Sequence, residues 1–168
     1  MTQSHPSSAP GAPAADLPPY HIDHLAAHVG RVIGVTPWMA IDQERVDQFA
    51  RITEDMNPLH VDVAASKQGP FGGTIAHGFL TLSLLSHFSY QVKLQPAGIA
   101  YGLNYGFERV RFMAPVMVGA RIRNRIVLGD VSDKGAGRFL IRTTNTVEIE
   151  GGKKPALVAD WLGLFVKA

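Results

Sequence analysis

Between Gly78 and about Val92 the large apolar side chains Phe79, Leu80, Leu82, Leu84, Leu85, Phe88 and Val92 follow one another closely. Wound at about 3.6 residues per turn, they cover nearly the whole circumference, the pattern of a core helix wrapped by something large. A second helical pattern precedes it. Asp42 is suited to an N-cap, Glu44 sits in the first turn, and Val46, Phe49, Ala50 and Ile52 form one apolar face running up to Asp55. Tyr20 to Val29 reads as a short helix stopped by Gly30, and 31–41, which contains Pro37, as an edge strand or irregular approach. Beyond residue 100 the rhythm changes: segments near 103–113, 119–130, 137–149 and 156–167 are rich in Val, Ile, Phe and Thr. The turn-forming runs at 133–137 and 150–153 between them read as hairpin loops. Helices followed by consecutive antiparallel strands predict an α+β domain.

With 168 residues the chain fits one domain large enough to bury a core. Residues 1–19, rich in Pro, Ala and Ser, predict a disordered tail, which leaves 20–168 as the folded unit. Apolar and charged fractions of 46% and 18% are those of an ordinary globular protein, and a net charge of +2 gives no reason to expect nucleic acid. Without cysteine, disulfides, thiolate nucleophiles and zinc–thiolate sites are excluded. No basic-then-apolar leader and no run of about 18 apolar residues occurs, so a cytoplasmic protein without a membrane span is the default expectation.

Arginines recur at 109, 111, 121, 123, 125, 138 and 142, in the strand-rich half. Such a row could meet a phosphorylated ligand, but a solvated strand face is the more ordinary outcome. His24 and His28 have the four-residue spacing of helical metal ligands, with His21 nearby. They lack a further ligand at a recognised spacing, and an exposed helix is favoured over a metal site.

The chemistry concentrates in Thr53-Glu54-Asp55-Met56-Asn57-Pro58-Leu59-His60. On a continuous helix, residues five apart are separated by about 500° and do not share a face. The residue before a proline is pushed out of the helical region, so Asn57-Pro58 should end the preceding helix and place His60 on the departing chain. A bend there can bring the Asp55 carboxylate and the His60 imidazole around one small molecule, most simply water, as general acid–base chemistry requires. Asn57 is expected to brace this turn through its amide. A second block, Gly69-Pro70-Phe71-Gly72-Gly73-Thr74-Ile75-Ala76-His77-Gly78-Phe79, runs into the long apolar helix. Its glycine-rich start lacks a phosphate-loop lysine and reads as a loop shaping a pocket mouth. Gly78 falls at the helix N-terminus, where N–H groups lack partners. His77 is as well explained by a bond to backbone as by a place beside ligand, and is left outside the catalytic set.

Together, in this order and interval, the two blocks resemble the MaoC-like dehydratases, which include (R)-specific enoyl-CoA hydratases. The resemblance spans about Val32 to Val166. It implies a hot-dog fold, an antiparallel sheet curled around the long helix, and reversible addition of water to a trans-2-enoyl-CoA giving the (R)-3-hydroxyacyl-CoA. It implies Asp55 and His60 as the catalytic pair, the Gly78 amide as donor to the thioester oxygen, and no cofactor or metal. Coenzyme A or an acyl carrier protein would carry the acyl group, and a homodimer is expected. Glu54 departs from the family pattern, which has glycine there, and puts a second negative charge beside Asp55. The rival readings are a thioesterase on the same fold and a non-catalytic acyl-thioester-binding protein.

Overall fold

The computed structural model describes residues 17–92 and 94–168. Most of the expected tail, residues 1–16, lies outside the described residues. From Leu17 onward the chain is tied down: the Pro18 carbonyl accepts from the His28 ring at 2.9 Å. The short N-terminal helix is a 3₁₀ helix, Ile22–His28, with His21 as N-cap. At about three residues per turn, His24 and His28 do not lie on one face, so the metal-like spacing has no geometric consequence.

Strand β1 (Val32–Val35) and the two-residue β2 (Met39–Ala40) flank Pro37, as expected of an edge. Helix α1 (Gln43–Thr53) opens on Asp42, whose carboxylate accepts from the Arg45 N–H. Two single-turn helices follow, α2 (Pro58–Val61) and α3 (Val63–Ser66), and then the long α4 (Gly78–Gln91). The four long strands are β3 (Ile99–Phe112), β4 (Arg121–Asp133), β5 (Arg138–Ile149) and β6 (Leu157–Lys167). They form one antiparallel sheet in the order β1-β4-β5-β6-β3, with β2 also paired to β4. Both expected hairpin loops are present, joining β4 to β5 and β5 to β6. The α+β expectation holds.

Alternate residues of β4 and β5 point to the helix side: Ile122, Asn124, Ile126 and Leu128 on one, Ile141, Thr143, Asn145 and Val147 on the other. Against them α4 packs Leu80, Leu84, Leu85 and Phe88, joined by Val46 from α1 and by Leu157 and Ala159 from β6. The end of α4 comes so close to β1 that a Cβ on Gly34 would lie 2.6 Å from Val92, which only glycine accommodates. Farther along the sheet, Ile22 and Leu25 of the 3₁₀ helix cover Leu128 and Ile141.

One expectation needs correcting. The hydrophobic count predicts a helix enclosed on all sides, yet α4 leaves Phe79 and Tyr90 67% and 76% exposed. Its apolar surface exceeds what this chain's own sheet covers. The arginine row also resolves differently from a ligand-binding face. Arg109 pairs with Asp160, Arg121 with Glu150 and Arg123 with Glu148 between adjacent chain segments, and Arg142 of β5 reaches over β6 to Glu108 of β3. These cross-strand pairs neutralise much of the face.

Candidate active site

Helix α1 stops at Thr53 because Glu54 turns left-handed (φ 60°, ψ 15°), the conformation in which many helices end and which glycine adopts most easily. Asp55 and Met56 form the link. Asn57 then acts as an N-cap: its side-chain oxygen accepts from the Leu59 N–H at 3.0 Å, and Pro58 occupies the first helical turn. The Asn-Pro pair therefore starts a helix as well as separating it from α1. His60 lies on the chain that departs from α1, as expected, and that chain is itself helical, the single turn α2. Asn57 braces the turn, as the sequence suggested.

Two carbonyl contacts define the rings that meet Asp55. His60 Nδ1 donates to the Ile75 carbonyl at 2.7 Å, and since a carbonyl only accepts, the Nδ1 carries the hydrogen. In the neutral ring Nε2 is then the lone-pair nitrogen. His77 Nε2 donates to the main-chain carbonyl of Asp55 at 3.0 Å and lies 3.9 Å from its carboxylate Oδ2. The His60 and His77 rings stack with centroids 3.8 Å apart, and Phe49 closes the other side of His77 at 5.0 Å. One ligating atom from each of Asp55, His60 and His77 falls within 4.8 Å of the others. The spacing alone would suit a cation, but His77 Nε2 already carries the hydrogen given to Asp55 and offers no lone pair there.

The main chain of His60 is held as well. Gln43 donates to the His60 carbonyl and to Asp47, each at 2.7 Å, while its carbonyl oxygen accepts from the Thr74 hydroxyl at 2.6 Å. The Leu59 carbonyl accepts from the Ile75 N–H at 3.1 Å, which stitches α2 to the strand-like segment leading into α4.

His60 and Gly78 share the wall of a cavity of about 240 Å³, whose apolar part comes from Ile75, Phe112, Met113 and Val116. Gly78 is the first residue of α4, and His77 supplies no side-chain cap, so the leading N–H groups of the helix stay available. A Cβ on Gly78 would lie 3.1 Å from the Phe112 ring, so any larger residue there has to push that ring aside. The loop 69–73, expected at the pocket mouth, contributes none of these lining residues; after His60 the lining resumes at Ile75.

Asp55, His60 and Gly78 are thus gathered as the motif suggested, with His77, Gln43 and Thr74 added by the fold. A match to the MaoC like domain family covers residues 24–150. The chain belongs to the MaoC-like dehydratase family. Among its relatives, 3-hydroxyacyl-thioester dehydratase Z of Mycobacterium tuberculosis is 45% identical over 145 residues, 84% of this chain and 93% of that one. Nodulation protein N of Rhizobium leguminosarum bv. viciae is 44% identical over 142 residues, 84% and 88% of the two chains. The (R)-hydratase from A. caviae involved in PHA biosynthesis matches in structure with a TM-score of 0.66 at 25% identity, over 79% of this chain and 95% of that one. Like these, this MaoC-like protein is a hot-dog domain. Among its described residues no helix is long and apolar enough to cross a membrane.

Proposed function

We propose that this protein is a hydro-lyase that reversibly adds water to a trans-2-enoyl-CoA to give the (R)-3-hydroxyacyl-CoA. The observation that carries the reading is the contact of His60 Nδ1 with the Ile75 carbonyl. With its Nδ1 hydrogen committed to Ile75, the neutral ring and the ionised Asp55 carboxylate are both acceptors. A water between them donates one hydrogen to each and presents its oxygen lone pair to the substrate.

The reaction then balances without an outside reagent. The water oxygen bonds to C3 while the C2–C3 π pair moves onto the thioester as an enolate, and one of the two acceptors takes the water proton. The enolate collapses, C2 takes that proton, and the pair returns to its starting state. Dehydration is the reverse. The enolate oxygen faces the unpartnered N–H at Gly78, where the helix end favours negative charge. Loss of one such donor typically costs about 2.7–4 kcal/mol of transition-state stabilisation. The (R) outcome and the acyl-thioester class follow the named relatives, one a 3-hydroxyacyl-thioester dehydratase and one an (R)-hydratase.

A second copy of the chain completes the reading. Strand β3 is the last in the sheet, and Tyr101, Leu103, Tyr105 and Phe107 on it are 40–63% exposed; Phe79 and Tyr90 of α4 are uncovered as well. An open sheet edge carrying large apolar side chains calls for a partner, and a homodimer supplies one. Sedimentation of the purified protein tests this; a monomer at micromolar concentration would count against it.

The deciding assay is crotonyl-CoA, extended to longer enoyl-CoAs, with enoyl absorbance and free thiol followed together and Asp55→Asn alongside. Loss of the enoyl signal without free thiol, abolished in the variant, is the expected result. Release of free thiol would mean hydrolysis, and a flat trace at every chain length with ligand still bound would mean a binding protein.

A further inference from the structure

We propose that His77 is a positioning residue that holds the Asp55 carboxylate and the His60 ring in register, an inference that rests on the hydratase reading of the pair. Asp55 lies on the short link between α1 and α2, its side chain 52% exposed, and the left-handed Glu54 precedes it. Within its own segment little fixes it: Met56 N–H donates to the Glu54 carbonyl at 3.1 Å, and the Asn57 amide is spent on Leu59. What reaches Asp55 from outside is the His77 ring, which donates to its main-chain carbonyl at 3.0 Å.

The same ring is well suited to fix others. His77 is 2% exposed, sits at the head of α4 and is sandwiched between Phe49 of α1 and His60 of α2. One imidazole therefore touches all three helices that supply the site. Its orientation is set by hydrogen bonding and not by packing alone, because Nε2 has the Asp55 carbonyl while the buried Nδ1 has no partner among the described residues. A buried polar atom left unsatisfied costs stability, about 1–3 kcal/mol in typical cases, so the ring is not explained as core filling. A leucine or phenylalanine would fill the space without that cost. The arrangement makes sense if the bond to Asp55 is what the position provides.

The position is also the N-cap of α4, yet the ring makes no cap bond. Its commitment to Asp55 leaves the leading amides of α4, Gly78 included, free for the substrate oxygen. The side chain thereby links the acid–base pair to the oxyanion donor through adjacent residues, 77 and 78.

The test uses the full-length protein with His77→Phe, which keeps a stacking ring and loses the donor, and His77→Gln, which keeps a donor and loses the ring. Long-range proton–nitrogen correlations of the wild type should show His77 protonated on Nε2; protonation on Nδ1 alone would overturn the proposal without any variant. Amide order parameters at Asp55 and Met56 should fall in His77→Phe, towards about 0.6 or below, with α4 unchanged, and recover in His77→Gln. In the hydration assay His77→Phe should lower kcat roughly 10- to 100-fold with KM within about twofold, as misplacement by an ångström does. In an Asp55→Asn background the same change should cost less than about threefold, because groups acting as a unit are not additive. Unchanged order at Asp55, or a full multiplicative loss on top of Asp55→Asn, would show that His77 does not act through Asp55. A wild type inactive on every enoyl thioester would sink the hydratase reading, while the tautomer and order parameters would still decide the role of His77.

Discussion

Gln43 holds His60 by its main chain: the Gln43 amide donates to the His60 carbonyl at 2.7 Å from the first turn of a different helix, 17 residues upstream. The same amide satisfies Asp47 and the buried Thr74 hydroxyl, so one side chain closes a network around the base of α2. Gln43→Leu would leave the Thr74 hydroxyl, 5% exposed, without its acceptor. The expected loss is about 1–3 kcal/mol in stability, read by denaturant titration, together with a lower kcat because His60 is no longer fixed. Gln43→Glu is the sharper control. It keeps the acceptor for Thr74 but sets a carboxylate oxygen against the Asp47 carboxylate and the His60 carbonyl, so it should recover neither the stability nor the turnover. Equal stability of wild type and Gln43→Leu would show that the network carries no load.

Glu54 stands where the family pattern has glycine, and it adopts the backbone that glycine prefers. A left-handed non-glycine residue costs roughly 1–2 kcal/mol, and glycine's own loss of freedom takes back roughly 0.5–1 kcal/mol. Glu54→Gly should therefore stabilise the protein slightly, by up to about 1 kcal/mol, and Glu54→Val should destabilise it by more than that. Thermal melts of the two variants give the sign directly. If Glu54→Val melts with the wild type, the turn is not held left-handed in solution.

These two residues mark the limits of what one sequence reveals. Asp55, Asn57 and His60, close together in the chain, were singled out by local rules about proline and caps, Gly78 by its place at a helix start, and the roles proposed for them came with the family resemblance. Even there the Asn-Pro pair misled in part: the rule that proline ends a helix hid the rule that proline also begins one. Gln43 and His77 were not legible as site residues, since each works through a partner 17 or 22 residues away and no periodicity encodes that contact. The long strands and the α+β class followed from period and turns. The open face of α4 did not, because a hydrophobic count registers how much is apolar and says nothing of which chain covers it.

Gly78 and Phe112 form a tight pair in the cavity wall at the start of α4, where an added Cβ would lie 3.1 Å from the ring. Gly78→Ala keeps the main-chain N–H, so its effect should come from displacing Phe112 into the cavity they both line. The expected outcome is a several-fold rise in KM for enoyl-CoA with a smaller fall in kcat. Adding Phe112→Leu should restore much of the loss by making room. A double variant no better than Gly78→Ala would point to damage at the helix end itself, in the placement of the amide.

Tyr20 makes stability depend on alkaline pH. It lies on the cluster formed by the 3₁₀ helix, donates its phenolic hydrogen to the Leu94 carbonyl at 2.9 Å, and burial pushes its pKa up to about 12 from 10.0. The folded protein thus holds this proton more tightly than the unfolded chain does. The resulting stability is fully present below about pH 10 and is lost as pH rises through about 12. Two pH units correspond to roughly 2–3 kcal/mol at most, and the partial exposure of the ring places the true figure toward or below the lower end. Tyr20→Phe removes both the hydrogen bond and the titration. It should be less stable than wild type near neutrality, and the gap should close as pH climbs through the window. Denaturant titrations of the two proteins across that range provide the comparison, and a gap that stays constant would mean that the Tyr20 hydroxyl does not titrate differently in the folded state.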